Sequence, residues 1–498
     1  MPSRTRSCAR RPRASHAMAV ATLVACGASS AFAQSSGADP SPDDLAARLA
    51  AVERLLGVDP THPPSPQTGH AAAEHIDMAT LARRLAAIER RLEQPTQEAA
   101  APPAPTTTTA LTVGRGLSIK GPDGAELRVR GLVQADGRFF PDDHGAAPSA
   151  TFLMRRIRPT LEGSWGPLIG FRLTPEFAGD NASLVDAYVD VKFDPRATLR
   201  IGKVKGPVGL ERLQSGGSLA MVERGFPTEL APNRDLGVQL QGDLREGRLQ
   251  YVLGVYNGAP DGRDAATANT DDAFEYAGRL FWEPFKGKDH ALSGLGIGIA
   301  ASSGDTFGTG NGVLPRYRTP AQAQFFNYGS NVAGDGLRRR LSPQGYYHRG
   351  AFGLLAEHIT SEQALRLISG PDAGRGARIE NRAYQLTGSY VLTGEDASFR
   401  GVARPDRPFS PDGAGWGAFE LVGRYGVLDI DDDAFPLFAN PALSASRAES
   451  WSVGLNWYLN AHLKLVANYT HTAFDGGAAA GADRRDERAV LARAQLSF

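Results

Sequence analysis

The sequence predicts an all-β fold, a sixteen-stranded antiparallel transmembrane β-barrel preceded by a short N-terminal helical coiled-coil segment. Three observations carry that expectation. Apolar and polar residues alternate with a period of two from Gly116 to the last residue, as a strand with one wet and one dry face requires. Short turns alternate with long loops along the same stretch, the asymmetry of a barrel whose two rims face different compartments. Finally, no segment past the leader offers about eighteen consecutive apolar residues, so no helix is expected to span a bilayer. Both cysteines, Cys8 and Cys26, lie in that leader, which leaves the mature chain without disulfides or thiolate metal sites. A secreted chain of 498 residues must then be stabilised by burial or by a membrane, and closed strands satisfy every backbone group in lipid.

The leader is expected to be a bacterial secretory signal over residues 1–33. Arg4, Arg6, Arg10, Arg11 and Arg13 precede the short apolar stretch "AMAVATLVACGASSAFA", and Ala31-Phe32-Ala33 fits a small-residue cleavage site. The stretch "LVAC" ending at Cys26 resembles a competing lipoprotein cleavage box. Over 34–94, two segments repeat one spacing: Leu45, Leu49, Val52 and Leu56, then Leu81, Leu85, Ile88 and Leu92. These are heptad seams, too short to stand alone in water, so partner subunits or the other helix should cover them in the periplasm. Residues 95–116, with "QPTQEAAAPPAPTTTTA", form a Pro/Thr-rich linker that cannot build a core.

The barrel is expected over 117–498. In "MRRIRPTLEGSWGPLIGFRLTPEF", Arg156, Arg158, Thr160 and Glu162 share one face, and beyond the Gly166-Pro167 turn Arg172, Thr174 and Glu176 oppose Phe171, Leu173 and Phe177. Val185, Ala187, Val189, Val191 and Phe193 then alternate with Asp186, Tyr188, Asp190 and Lys192. Further hairpins are "LGVQLQGDL" with "LQYVLGVYNG", and "AESWSVGLNWYLN" with "LKLVANYTHTAF". An even strand count puts both barrel ends in the periplasm. Trp165, Trp282, Trp451 and Trp457, near strand ends, suit interfacial girdles in contact with outer-membrane lipid. In the closing "LARAQLSF", Val490, Ala492, Ala494, Leu496 and Phe498 share a face against Arg493, Gln495 and Ser497. A soluble sheet would leave that apolar strand as an unprotected edge, whereas a closed barrel has no edge. Phe498 should close the final strand, where barrel-assembly machinery is expected to read it.

The segments "RRIRPTLEG", "LRIGKVKGPVGLERL", "LPRYRTPAQAQFFNYG", "SPQGYYHRGAFGLLAEH", "FELVGRYGVLDID" and "SWSVGLNWYLNAHLKLVANYTHTAF" together resemble the phosphate-selective porins of the O/P type across 117–498. The resemblance implies a homotrimeric channel passing phosphate-like anions through an arginine-lined pore, with Arg155 and Arg156 matching the family's central arginine pair. Residue chemistry agrees, because rings of Arg or Lys replace an anion's hydration without holding it too tightly. Three clusters qualify. In the first, alternation turns Arg156 and Arg158 to the lumen and leaves the side of Arg155 open. The second lies in the long stretch after the fifth barrel strand, where Lys203, Lys205, Arg212, Arg224 and Arg234 would face the solute if it folds inward, tempered by Glu211, Glu223 and Glu229. The third is a long loop expected over Ser303 to Tyr347, holding Arg316, Arg318, Arg338, Arg339 and Arg340. Here the family's loop-borne arginine ladder is a compact run instead.

Charges balance at 54 basic against 54 acidic, so selectivity must come from placement, and no bulk nucleic-acid binding is expected. Seven of the basic residues are Lys and the other 47 are Arg. No nucleophile motif, paired-histidine metal motif or phosphate-binding loop is present, so no enzyme, cofactor or metal is expected. His348, His358, His462 and His471 should lie in girdles or lumen wall, and the acidic run Asp429 to Asp433 in a solvated outer loop. The expected function is passive diffusion of small inorganic anions. The alternatives are a structural tether with a closed barrel, or a barrel-type hydrolase.

Overall fold

A computed structural model describes residues 110–498 apart from 115, 122–123, 142–148 and 311. The expected signal peptide, both heptad segments and most of the linker lie outside the described residues. The described residues open with a small hairpin, β1 (Ala110–Gly114) and β2 (Gly116–Lys120). Next come β3 (Glu126–Phe139), β4 (Thr151–Trp165), β5 (Ile169–Glu176), β6 (Ser183–Asp194), β7 (Ala197–Val204), β8 (Asp235–Leu244), β9 (Leu249–Tyr256), β10 (Glu275–Trp282) and β11 (Leu295–Thr309). A loop hairpin follows, β12 (Arg316–Arg318) with β13 (Gln324–Asn327). The rest are β14 (Val332–Arg349), β15 (Phe352–Leu367), β16 (Gly376–Val391), β17 (Ala418–Asp429), β18 (Ala445–Tyr458), β19 (Leu463–Gly476) and β20 (Glu487–Ser497).

Strands β3–β11 and β14–β20 pair antiparallel with their neighbours, and β20 returns to β3 from Val490 opposite Phe139 to Ser497 opposite Leu132. That return closes a barrel of sixteen strands. Below the last β20 pair, the edge of β3 is continued by β2, from Leu117 opposite Val129 to Lys120 opposite Glu126. Phe498 exchanges both backbone hydrogen bonds with Gly131, at 2.8 and 3.0 Å. A Cβ on Gly131 would sit 2.3 Å from the Phe498 ring, so the seam needs glycine there.

The strands are unequal in length. β5, β7, β9 and β10 have 8 residues each, while β14 has 18 and β15 and β16 have 16. A membrane-crossing strand needs about 9–11 residues, so the β14–β19 wall rises above the bilayer, and its polarity inverts where it emerges. Across β16–β19, Leu386, Tyr425, Trp451 and His471 lie opposite one another on the outer face. Two same-face steps higher, Arg382, Asp429, Arg447 and Asp475 alternate in charge. At that height the inner face reads Ile359, Ala383, Leu428, Ala448 and Phe474. Trp165, Trp282 and Trp457 do lie at or beside strand ends, but Trp451 is mid-strand. It reaches the girdle level because its strand continues past the lipid.

Two further expectations need correcting. The loop expected over Ser303 to Tyr347 is largely strand, since β11 runs to Thr309 and β14 starts at Val332. Arg338, Arg339 and Arg340 are therefore wall residues. The rim carrying both barrel ends also has one long connection, residues 392–417, where Ala397 and Val402 are buried against Val391, Ala418 and Tyr458. Asp431, in the acidic run, accepts the Asp433 amide at 3.0 Å and the Glu380 amide at 2.8 Å, so it shapes its loop.

Candidate functional site

The barrel interior is organised by residues 205–234, between β7 and β8. This inward loop carries two single-turn helices, α1 (Leu210–Leu213) and α2 (Pro227–Leu230). Before α1, Gly209 has φ 95°, and a Cβ would approach that of Ala231 to 2.8 Å, so the close packing of the loop's two arms depends on glycine. Polar side chains of the far wall satisfy the loop's backbone. Glu357 accepts the Leu210 and Glu211 amides, Asn468 accepts the Val222 amide, Asn456 and Lys464 donate to the Ala220 and Leu219 carbonyls, and Arg424 donates to the Glu223 carbonyl. Next along the same arc, Gln495, opposite Lys464, and Gln134, opposite Gln495, donate to the carbonyls of Gly217 and Gly216. The loop thus crosses the lumen from β7 and β8 and is tied to the wall between β15 and β3. From the periplasmic rim, the Phe399 carbonyl accepts Gln214 Nε2 at 2.7 Å.

Above the crossing, Phe226, Leu230, Tyr317, Phe325, Phe326, Tyr328 and Phe438 pack on Ile359, Leu365, Ile379, Leu428 and Phe474 in one buried apolar cluster. Loops 310–331 and 430–444 supply its centre, so the interior beside β14–β19 is filled. Polar residues staple the plug. Arg340, 0 % exposed, pairs with Asp261 at 2.6 Å and with Glu275 at 2.7 Å. Arg338, 2 % exposed, pairs with Glu275 at 2.9 Å. The Tyr317 hydroxyl bonds Asp261 and accepts from Asn381.

Along β3–β8 Arg130, Glu162, Arg172, Asp186 and Arg200 keep partial exposure on the inner face, whereas Gln134, Asp136, Arg156, Thr160, Thr174, Glu176, Asp190 and Gln239 are buried, so solvent reaches this half of the lumen at the exposed charges. Arginines and carboxylates interleave on it. Arg130 meets Glu162 at 2.6 Å, Glu162 meets Arg172 at 3.8 Å, Arg172 meets Asp186 at 4.0 Å, and Asp186 meets Arg234 at 3.2 Å. Arg158 pairs with Glu176 at 2.6 Å and Arg200 with Asp190 at 2.7 Å. Register explains the pattern, because directly opposed residues share a face: Glu162 lies opposite Arg172, and Asp190 opposite Arg200.

Where β3 and β4 approach the loop, Gln134 lies opposite Arg156 and the next residue, Ala135, lies opposite Met154, so Arg155 is the extra residue of a β-bulge. A bulge breaks the alternation, and both Arg155 and Arg156 turn inward. Arg155 clasps Glu223 of the crossing loop through Nε at 2.5 Å and Nη2 at 3.2 Å. Arg138 reaches the same carboxylate at 2.9 Å and Arg493 at 3.7 Å, while Arg493 also clasps Asp136. Burial alone would raise the Glu223 carboxyl, but the charges of Arg155 and Arg156 hold it well below the usual carboxylate range. Arg156 lies under Gly216, bonds Gln134, and leaves Nε without a partner.

The expected site residues therefore separate. Arg155, Arg156, Arg158, Lys205, Arg224 and Arg234 gather where the loop faces the open wall. Among the described residues Arg156, Lys205, Arg212 and Arg224 form no ion pair. Lys205 donates to the Leu213 and Gln214 carbonyls, and Arg224 to those of Glu211 and Gln214. Burial and then the Arg212 charge push Arg224 down to about 9, which leaves it cationic at neutral pH. Arg212 is buried between Thr228 and Asn233. Lys203 departs from expectation. It lies opposite Ala187 and Leu236, out of phase with the inward Arg200, and meets Asp264 at 3.6 Å. Arg316 and Arg318 flank the buried Tyr317 on the loop hairpin, with Arg318 3.7 Å from Glu229. Arg338 and Arg340 face inward but are consumed by the plug's ion pairs, and Arg339 faces outward, because successive strand residues alternate. Sequence reasoning phased Arg172 and Arg493 on the polar face without naming them as pore candidates, and did not single out Arg130, Arg138, Arg200 or the loop residue Arg263. For the strand residues, the phase shared with Asp or Glu on adjacent strands was the available signal. Of the histidines, His348 lines a cavity of about 40 Å³ beneath the loop, and His471 stacks on Trp451 at the girdle.

The family described as phosphate-selective porin O and P matches residues 127–498. The chain belongs to this family. The porin is 24% identical over 403 residues to Porin O of Pseudomonas aeruginosa, covering 74% of this chain and 89% of that protein. It is 26% identical over 472 residues to an uncharacterized protein of Caulobacter vibrioides, covering 86% and 90%. Among solved structures, it is similar to the outer membrane channel DcaP of Acinetobacter baumannii, with a TM-score of 0.49, 12% identity and coverage of 76% and 99%. It is also similar to OmpF of Salmonella typhi, with a TM-score of 0.47, 11% identity and coverage of 76% and 98%. Family and fold make this porin an outer-membrane β-barrel channel.

Proposed function

We propose that this porin, as a homotrimer, passes small inorganic anions, with phosphate and pyrophosphate-like solutes the leading class, through the slit between the crossing loop and the β3–β8 wall. One observation carries the reading: the partly exposed Lys205 and Arg224 gather at that slit bonded to backbone carbonyls and in no ion pair among the described residues, with the buried Arg156 behind them. Elsewhere on the open wall, carboxylates offset the arginines. Unpaired cations in a narrow lumen concentrate anions and replace part of their hydration. Guanidinium groups hold phosphate oxygens through parallel donors. The family's description as phosphate-selective supports phosphate over other anions.

Planar-bilayer recording of the purified protein tests this. In a potassium chloride gradient the reversal potential should show anion preference, and added phosphate should block chloride current. Cation preference would overturn the reading, and absence of current would favour the closed tether. Replacing Arg155 and Arg156 with alanine should weaken the phosphate block, and an unchanged block would clear them of the role.

A further inference from the structure

Glu223 stands apart from the other carboxylates of the lumen. It is the acidic residue of the crossing loop that the arginines of the open wall converge on: Arg155 through two donors, Arg138 at 2.9 Å, and Arg493 at 3.7 Å. Its side chain is 3 % exposed, whereas that of Arg155 is 28 % exposed. The carboxylate is thus shut away while the guanidinium it holds still faces the lumen. The loop does not depend on Glu223 for its position, since the neighbouring backbone is tied through Val222 to Asn468, Ala220 to Asn456, Leu219 to Lys464 and Gly225 to Glu211.

We propose that Glu223 determines how tightly the constriction holds an anion, by competing with the passing solute for Arg155 and Arg138. This rests on the anion-channel reading above and adds the group that limits its affinity. An anion at the slit takes guanidinium donors already committed to Glu223, so part of its binding energy is spent breaking that pair. A site of arginines alone would bind phosphate so firmly that release slows, and conduction requires exit as well as capture. The internal carboxylate keeps binding shallow. It discriminates too, because a dianion with several acceptor oxygens displaces Glu223 more readily than chloride, which brings one charge and no planar oxygen pair.

The test is Glu223→Gln in the full-length protein, read as phosphate block of single-channel chloride current. The glutamine keeps the size and loses the charge, so the half-blocking phosphate concentration should fall about tenfold, equivalent to about 1.4 kcal/mol. Asn468→Ala, which frees the Val222 amide without changing charge, should raise conductance and leave the block no tighter. Should Glu223→Gln fail to assemble, Glu223→Asp retains the charge but draws it back from Arg155, and should give a block between wild type and Gln. A Gln variant that blocks like wild type, or that behaves like Asn468→Ala, overturns the proposal, as does an Asp variant no tighter than wild type. Cation preference in the wild type would instead sink the anion reading itself. Anion preference with an unaltered Gln variant sinks the role of Glu223 alone.

Discussion

The two sides of the barrel solve opposite problems with the same period-two strand. The β5–β10 wall is short, turns Leu173, Val189, Ile201, Val238, Leu253 and Leu280 outward, and keeps charged residues inside. The β14–β19 wall is long, and above the girdle it is inside out: the Arg382, Asp429, Arg447 and Asp475 row faces water, and the Ile359, Ala383, Leu428 and Ala448 row faces the loop plug. The difference follows from solvent. Where lipid surrounds the wall, apolar side chains go out, and where water surrounds it, they go in. On the proposed reading, solute takes the side whose inner charges keep partial exposure.

The sharpest way to break this contrast is at adjacent residues of β14. Arg340→Leu leaves Asp261 and Glu275 buried without their shared cation and should cost about 3–5 kcal/mol, read as a lower unfolding temperature and faster proteolysis of loop 310–331. Arg339→Leu, one residue away on the outer face, should stay within about 0.5 kcal/mol. Equal effects would mean the plug is not stapled as described. Next in size, Ile379→Ala opens a cavity in the plug and should cost about 2–5 kcal/mol, with ion selectivity unchanged because the open half is untouched. On that open half, Arg172→Ala should cost under about 1 kcal/mol, since the pair is partly exposed, yet should move the reversal potential toward cations. A stability loss as large as that of Ile379→Ala would show that the wall charges hold the fold. Smallest of all is the effect of pH. A carboxyl whose folded value lies below its unfolded one contributes fully above the unfolded value, and loses that contribution only as pH falls through the folded one. Glu223 is such a group. Bilayer recordings between pH 8 and about pH 5 should therefore show constant anion preference, and a rise in that preference on acidification within the window would mean Glu223 takes up a proton and is held less firmly than its arginines imply.

Legibility followed the range of the interactions. The face of Phe498, the strand pairs about Gly166-Pro167 and Asn460-Ala461-His462, and the long inward segment after the fifth barrel strand were readable because alternation and turn chemistry are local. Arg155 was ambiguous because a bulge is defined by the partner strand: nothing in "MRRIRP" shows that Gln134 and Ala135 will face Arg156 and Met154. The arginine run at 338–340 misled for a related reason. Three consecutive basic residues resemble a loop cluster, but their partners, Asp261 and Glu275, come from segments more than sixty residues away in the chain.

What the sequence by itself determined is therefore the makings of the cylinder: the strands, their inward and outward phases, and the apolar face that ends on Phe498, since each depends on residues a few positions apart. Tertiary structure decided which half of the cylinder stays open and which arginines keep a free charge. An ion pair exists only where loop path and strand register bring two distant side chains together, and one residue of slippage turns a pore cation into a buried staple or a surface charge.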